Sequence, residues 1–175
     1  MLLELAPLPT SCWLLALTAI AALTDSRTGL IPNWLTLPSL ALAPLAQLLA
    51  VGPGACGGAL LAACACALVP LVLFRLDAIG GGDVKLFAAL GALCGTAVGL
   101  EIQLLGYALA STWALCGLAY RGALWATLLR ALALLMRPLR RAQPELAAMQ
   151  GVRLGVPVLA AAALAVGPRI VELWP

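Results

Sequence analysis

The sequence contains no histidine, few charged residues and few aromatic residues, and these absences exclude several kinds of site. Lys, Arg, Asp and Glu together account for 10% of the 175 residues, and Phe, Trp and Tyr for 5%. Without histidine there is no histidine general base, no Ser-His or Cys-His nucleophile system and no histidine-ligated metal. Any chemistry that this chain performs must therefore proceed without an imidazole.

The six cysteines also lack the spacing of a metal or redox site. No two of them form a C-x-x-C pair, which disfavours zinc binding and thioredoxin-like redox chemistry. Most lie inside apolar segments, where cysteine behaves as a small hydrophobic residue, so we expect them to pack. We predict neither a metal nor a cofactor for the chain. The six residues are Cys12, Cys56, Cys64, Cys66, Cys94 and Cys116.

Hydrophobic residues dominate what is present. They make up 64% of the chain, and the mean hydropathy is +1.09, values that do not describe a soluble protein. Apolar stretches of ~20 residues cross a bilayer as helices, which satisfy their own backbone hydrogen bonds. The sequence therefore predicts an all-α, polytopic integral membrane protein with one domain over residues 1–175. The net charge of +3 requires no nucleic-acid partner, because basic cytoplasmic loops explain it.

Six apolar segments are predicted to span the membrane. For the first, a cleaved signal peptide is the alternative, but no Lys or Arg precedes it and Glu4 is the only charge there. We place a turn at Glu101, the one charge between the fourth and fifth segments. The six segments are approximately residues 5–24, 34–51, 56–74, 84–100, 102–120 and 154–171.

Between the last two segments the chain is rich in arginine. Its Gly122–Met136 portion is predicted to be a basic helix in the membrane interface, with arginines reaching the headgroups. The alternative is a seventh span, which would bury Arg130 at considerable cost. The basic segment could bind anionic lipid, dock a substrate or contact assembly machinery, and its charge favours lipid.

The distribution of positive charge predicts the orientation. With an external amino terminus, nine of the ten Lys and Arg residues fall in inner loops and only Arg169 lies outside. This asymmetry is a strong positive-inside signal. The inner side also receives the turn that contains Asp25 and the turn that contains Asp83. Topology therefore predicts that two carboxylates meet on the cytoplasmic face.

Two aspartates at the membrane edge could each be a solvated helix cap, or they could act together. Asp77 lies on the same side in a loop, and we expect it to be solvated. A close pair without metal ligands suits aspartic peptide hydrolysis, in which an ionised carboxylate activates water and a protonated one polarises the scissile carbonyl. The three glycines before Asp83 are expected to supply backbone freedom and to let an extended substrate approach.

Two motifs carry a resemblance to a known family. The residues Gly80-x-Gly82-Asp83-Val84-Lys85-Leu86 resemble the G-x-G-D-x-K-L signature of the prepilin peptidases, the GxGD aspartic intramembrane proteases that process type IV pilin-like precursors. Asp25 followed by Ile31-Pro32-Asn33 is similar to the first motif of that family, D-x5-I-P-N. The resemblance implies that Asp25 and Asp83 are the catalytic pair. Around them we place the supporting residues Gly80, Gly81, Gly82, Lys85, Arg27, Pro32 and Asn33.

The resemblance also implies a substrate and a location. It implies removal of a short basic leader from type IV or Flp-type prepilins or pseudopilins, at the cytoplasmic face of the bacterial inner membrane. Larger members methylate the new amino terminus and carry paired C-x-x-C cysteines in an insertion. This chain lacks such pairs, so it looks most similar to the small tight-adherence members, and methylation is not expected. Membrane lipid is the other predicted partner, and the oligomeric state is left open.

Two further interpretations remain at this point. A transporter or channel subunit could use Asp25 and Asp83 as a proton or cation relay, but it would need more polar residues in its spans than Thr96, Gln103, Ser111 and Thr112. A structural subunit of pilus assembly, without activity, is the other.

Three glycines at four-residue spacing, Gly91, Gly95 and Gly99, predict a double G-x-x-x-G ridge on the fourth helix. Such a ridge lets a neighbouring helix pack closely just beyond Asp83. The alternative is ordinary alanine and glycine filler.

Overall fold

The computed structural model describes residues 8–120 and 154–172, together with Gly122 and Leu129. Within these residues the chain forms helices joined by short connections and no strand, which confirms the all-α class. The helices are α1 (Leu8–Thr28), α2 (Asn33–Ala50), α3 (Pro53–Arg75), α4 (Gly81–Tyr120) and α5 (Gly155–Glu172). Apart from Gly122 and Leu129, the predicted interfacial helix Gly122–Met136 lies outside the described residues.

Helix α1 is longer than the sequence predicts and carries Asp25 in its last turn. The apolar pattern ends near Thr24, but the helix continues to Thr28. The Thr28 hydroxyl donates to the Thr24 carbonyl at 2.8 Å, so this polar side chain is hydrogen-bonded within the helix. Gly29 ends the helix, because its φ of +69° is left-handed and its N–H reaches the Asp25 carbonyl at 2.9 Å. Asp25 therefore lies on a rigid helix and not in the predicted polar turn.

Helix α4 folds back on itself at Gly95. This residue has φ +81° and ψ 173°, a combination that is essentially restricted to glycine. In a continuous helix Phe87 and Tyr107 would lie about 30 Å apart, yet their ring centroids are 5.4 Å apart. We name residues 81–94 the first arm and residues 96–120 the second arm of this hairpin. The predicted turn at Glu101 is wrong, because Glu101 lies within the second arm.

The three glycines of the predicted ridge surround this reversal. Gly95 makes the turn, whereas Gly91 and Gly99 face each other across the hairpin and approach α3. A Cβ on Gly91 would lie 2.5 Å from the Ala62 carbonyl oxygen, and a Cβ on Gly99 would lie 2.7 Å from the sulfur of Cys66. A neighbouring helix does pack closely beyond Asp83, but against two arms of a hairpin and not along one continuous ridge.

Helix α4 forms the centre of the bundle. It contacts each of the other four described helices. The buried side chains of Leu86 and Phe87 in its first arm share a core with Leu17 of α1 and Val158 of α5. Residues 86–95, which follow Asp83 closely in sequence, are all buried, which gives the carboxylate a fixed base.

The outer surface of the bundle is apolar. Leu49, Leu61 and Trp113 are 80%, 73% and 81% exposed, whereas alanine is frequent among the buried residues. Large apolar side chains outside and small ones between helices are typical of packing in lipid. Two helical stretches are long and apolar enough to cross a membrane, Pro53–Arg75 and Gly81–Gly117, the second of which contains the reversal. Six crossings go beyond these two stretches and stay a prediction.

Candidate active site

Asp25 is a buried carboxylate held by the last helix. It is 7% exposed, and its Oδ2 atom accepts a hydrogen bond of 2.9 Å from the backbone N–H of Gly155, the first residue of α5. Those two residues are 130 positions apart in sequence. Burial and this bond argue against a solvated helix cap, because a solvated carboxylate would not be enclosed between two helices.

Asp83 lies in the first turn of α4 and is bonded back to the residue that precedes the helix. Its N–H donates to the Gly80 carbonyl at 3.1 Å, and its Oδ2 atom accepts from the Gly80 N–H at 3.2 Å. This is half of a capping-box arrangement, which limits the rotamers of the side chain. The Asp83 carboxyl is close enough to Asp25 for the two groups to interact electrostatically. The structure therefore places the two aspartates at the same end of the bundle, within electrostatic range of each other.

The glycine run serves close packing more than backbone freedom. Gly81 and Gly82 are the first residues of α4, so only Gly80 belongs to the loop. A Cβ on Gly82 would lie 3.0 Å from the Cβ of Ile31 and 3.2 Å from its carbonyl oxygen, and a Cβ on Gly81 would lie 3.4 Å from the Phe74 ring. The flexible run that the sequence suggests is instead mostly the tightly packed start of a helix.

The two motifs are assembled into one structure. The Nζ atom of Lys85 donates to the Oδ1 atom of Asn33 at 2.7 Å, a short charge-assisted bond at the start of α2. Ile31 lies against Gly82, and Pro32 is the residue that caps α2. The loop between α1 and α2 is thus fixed on the first turn of α4. Asp25 lies on α1, just before this loop, and Asp83 lies on the first turn that the loop contacts. Lys85, which we expected to meet lipid phosphate or substrate, contacts the other motif.

Arg27 and Asp77 lie at the edge of this site and are exposed. Arg27 is in the last turn of α1, two residues beyond Asp25. Asp77 follows the end of α3 with φ +56°, and the N–H of Ala78 reaches back to the Leu73 carbonyl at 2.9 Å. This is the left-handed ending of a helix, which aspartate tolerates better than most residues. The prediction that Asp77 is solvated agrees with its exposure.

The sequence analysis counted Gln103 among the few polar residues of the spans but did not place it, or Tyr107, near Asp83. Tyr107 of the second arm interacts electrostatically with Asp83, and its hydroxyl lies 3.4 Å from the Nε2 atom of Gln103. Gln103 is 2% exposed, and its Oε1 atom has no hydrogen-bond partner among the described residues. A signal was present, since Gln103 and Tyr107 are four residues apart and share one helix face. The hairpin that brings this face to Asp83 had no such signal.

Among the described residues, no group of three or more His, Cys, Asp or Glu side chains is arranged to hold a metal ion. The chemistry that the arrangement offers comes from two neighbouring carboxyl groups, one buried and one at the start of a helix.

The model of the type IV leader peptidase family matches residues 12–120 of the chain. The chain belongs to the type IV leader peptidase family. Membership confirms the family indicated by the two motifs, and it implies a membrane protease of the leader-peptidase type that acts on prepilin-type substrates. No curated protein and no solved structure matched the chain.

The matched residues of this leader peptidase contain both motifs, most of α1 and all of α2, α3 and α4. Helix α5 lies outside the match. Gly155, which holds Asp25, is therefore a second feature that the motifs did not indicate. Residues 153–157 resemble the family only loosely, and Pro157 is typical of a first helical turn but says nothing about what the turn contacts.

Proposed function

We propose that Asp25 and Asp83 are the catalytic pair of an aspartic endopeptidase that removes the short leader from type IV or Flp-type prepilin or pseudopilin precursors. The observation that carries the proposal is the assembly of both motifs around two interacting carboxyl groups, one of them buried. Neighbouring like charges do not both ionise cheaply, so the proposed mechanism assigns one proton to the pair. That state supplies a base and an acid at one place.

The hydrolysis then follows in two steps. The ionised carboxylate takes a proton from water as the water oxygen bonds to the scissile carbonyl carbon, and the protonated carboxyl gives its proton to the carbonyl oxygen. When the tetrahedral intermediate collapses, the carboxyl that took the proton from water gives it to the nitrogen, the bond from carbon to nitrogen breaks, and the other carboxylate takes a hydroxyl proton as the carbonyl forms again. The amine leaves, and the pair holds one proton as at the start. No other acid or base is required, which suits a chain without histidine.

Positive charge supports a cytoplasmic location of the site. Arg27, Arg75 and Lys85 all lie in the turns or helix ends that carry the two aspartates. The positive-inside rule assigns this end of the bundle to the cytoplasm of a bacterial inner membrane. The exposed Arg27 fits an anionic headgroup beside the site. In this orientation the leader is cut before the apolar helix of the precursor.

The proposal does not include methylation of the new amino terminus. The paired cysteines that accompany that activity in the larger relatives are not in this sequence, whose six cysteines form no C-x-x-C pair. The smaller tight-adherence members remain the proposed comparison, with a leader peptidase activity alone.

A transporter relay is the rival, and the Gln103–Tyr107 pair is the observation that favours it. These residues extend polarity from Asp83 into the hairpin. The surrounding core is apolar, however, with fully buried Leu86, Phe87 and Leu90 lining the first arm. A relay needs a continued line of polar groups, whereas a protease needs only the two carboxyls.

The decisive experiment is co-expression of the chain with candidate prepilins, followed by detection of leader removal on a gel. We expect Asp25→Asn and Asp83→Asn each to reduce cleavage by roughly 10²- to 10⁴-fold, because each removes a group needed for proton transfer. The matched control is Asp77→Asn, an exposed aspartate at the same end, which should cleave as the wild type does. Cleavage that persists in both dyad variants would refute the proposal.

A further inference from the structure

The carboxylate of Asp25 is oriented by a helix outside both motifs. The N–H of Gly155 donates to its Oδ2 atom at 2.9 Å in a buried setting. This N–H belongs to the first turn of α5, where backbone donors have no partner within the helix. The Val158 N–H bonds to the Leu154 carbonyl at 3.0 Å, so the helix has already begun at this point. Asp25 therefore caps α5 from a different helix.

The contact requires a residue without a side chain. A Cβ on Gly155 would lie 2.9 Å from the Cα of Ala22, 2.9 Å from the Cβ of Asp25 and 3.0 Å from its Oδ2 atom. Ala22 Cα is a backbone atom of α1 and cannot rotate away. Gly155 has no unusual φ, so the need for glycine comes from this close approach.

Helix α5 is well anchored and can hold its donor in a fixed place. Val158, Ala161 and Ala162 are fully buried in the core. Gly106 of the second arm lets α5 come close, since a Cβ there would lie 3.3 Å from a methyl group of Val158. The donor of Gly155 is thus tied to α1 and to the hairpin that carries Asp83. Helix α5 therefore packs against both the helix that carries Asp25 and the helix that carries Asp83.

We propose that Gly155 is the positioning residue for Asp25, so that the start of α5 sets the orientation of that carboxyl group for hydrolysis. The inference rests on the proposed catalytic function of Asp25. One carboxyl oxygen, Oδ2, accepts from the Gly155 N–H, and the proposed mechanism assigns the other to water or to Asp83. Catalysis depends on such orientation, because displacement of a reacting group by about 1 Å costs on the order of 10²-fold in rate.

A kinetic comparison of two glycine variants tests the inference, with a purified prepilin that the wild type cleaves as the probe. Gly155→Ala should lower kcat at least tenfold and leave KM within about twofold, because orientation acts on the chemical step. The matched control is Gly167→Ala in the same helix, where a Cβ would meet nothing within 4 Å. A wild-type kcat in Gly155→Ala would overturn the proposal.

A second measurement does not need activity or the alanine variant. Hydrogen exchange of residues 154–158 in detergent should be roughly fivefold faster in Asp25→Ala, because an acceptor of their first-turn donors is lost. Asp25→Asn keeps an acceptor oxygen and should retain the protection, and Asp83→Ala should not change it. Unchanged exchange in Asp25→Ala would overturn the inference. If the exchange behaves as expected but the wild type cleaves no prepilin, the contact between Asp25 and Gly155 is supported and the leader-peptidase function is refuted.

Discussion

Residues in this site matter as much for the absence of a side chain as for the functional groups they carry. Asp25 and Asp83 carry the carboxyl groups of the proposed dyad, and at Gly82 and Gly155 a backbone approaches where a Cβ would collide, which affects where those carboxyls lie. The sequence indicated Gly82 because it belongs to a motif, and it suggested that this glycine supplies backbone flexibility. It could not show Gly155, since a backbone N–H leaves no trace in the side-chain pattern.

Gly82→Ala should impair the site by separating the two motifs. The new Cβ would lie 3.0 Å from the Cβ and 3.2 Å from the carbonyl oxygen of Ile31, so the loop must shift away from α4. Overpacking of this kind costs about 1–3 kcal/mol, and Asp83 is the next residue. We expect at least a tenfold loss of prepilin cleavage and a lower unfolding midpoint in detergent.

The control for this variant is Gly57→Ala in α3. A Cβ there would meet nothing within 4 Å, and alanine is favoured over glycine inside a helix by up to ~1 kcal/mol. The control should therefore keep its activity and unfold at the same midpoint or a higher one. Equal behaviour of the two variants would contradict the role assigned to Gly82.

At the scale of helices, the sequence predicted the positions of the helical segments well and their ends less well. Apolar runs indicated the segments because burial and lipid both select for them, and positive charge indicated which turns share a side. The end of α1 was missed because polar residues continue a helix when their hydroxyls bond back to it. The reversal of α4 was assigned to Glu101, because a charge in an apolar run is more conspicuous than one more glycine.

Gly95→Ala should destabilise the hairpin. Its φ of +81° and ψ of 173° lie in a region that a residue with a Cβ occupies at a cost of about 1–3 kcal/mol. A straighter α4 would carry the second arm, with Tyr107, away from the first. We expect a lower unfolding midpoint in detergent together with reduced prepilin cleavage.

Gly117→Ala is the matched control in the second arm, since a Cβ there meets nothing within 4 Å and its φ is not left-handed. Its midpoint should be unchanged or higher. A Gly95→Ala protein as stable and as active as this control would mean that the chain does not need a glycine to reverse.

For the whole molecule, the distribution of residues is inverted relative to a soluble protein and polarised from end to end. Exposed leucine and tryptophan side chains lie on the outside, while alanine and glycine let helices approach inside. Cys66 and Cys94 are buried as expected, but Cys12, Cys64 and Cys116 are exposed, so the prediction that the cysteines pack is wrong for these three. Arg27, Arg75 and Lys85 lie at the end that carries both aspartates, whereas the turn between α2 and α3 at Val51–Gly52 has no charge. This asymmetry allows the sidedness of the site to be tested.

Cysteine labelling measures that sidedness directly. In a background with the six native cysteines changed to alanine, Ala78→Cys marks the aspartate end and Gly54→Cys marks the opposite end of α3, and both positions are exposed. A membrane-impermeant maleimide added to sealed spheroplasts should label Gly54→Cys, and it should label Ala78→Cys only after lysis, because the positive-inside rule assigns the positive end to the cytoplasm. Before labelling, each cysteine variant must cleave prepilin, which establishes that the cysteine-free background keeps the native fold.

Labelling of Ala78→Cys in sealed spheroplasts would place the carboxyls outside the cell. Labelling of both positions from one side would show that α3 does not cross the membrane, because position 54 lies at the start of that 23-residue helix and position 78 follows its end.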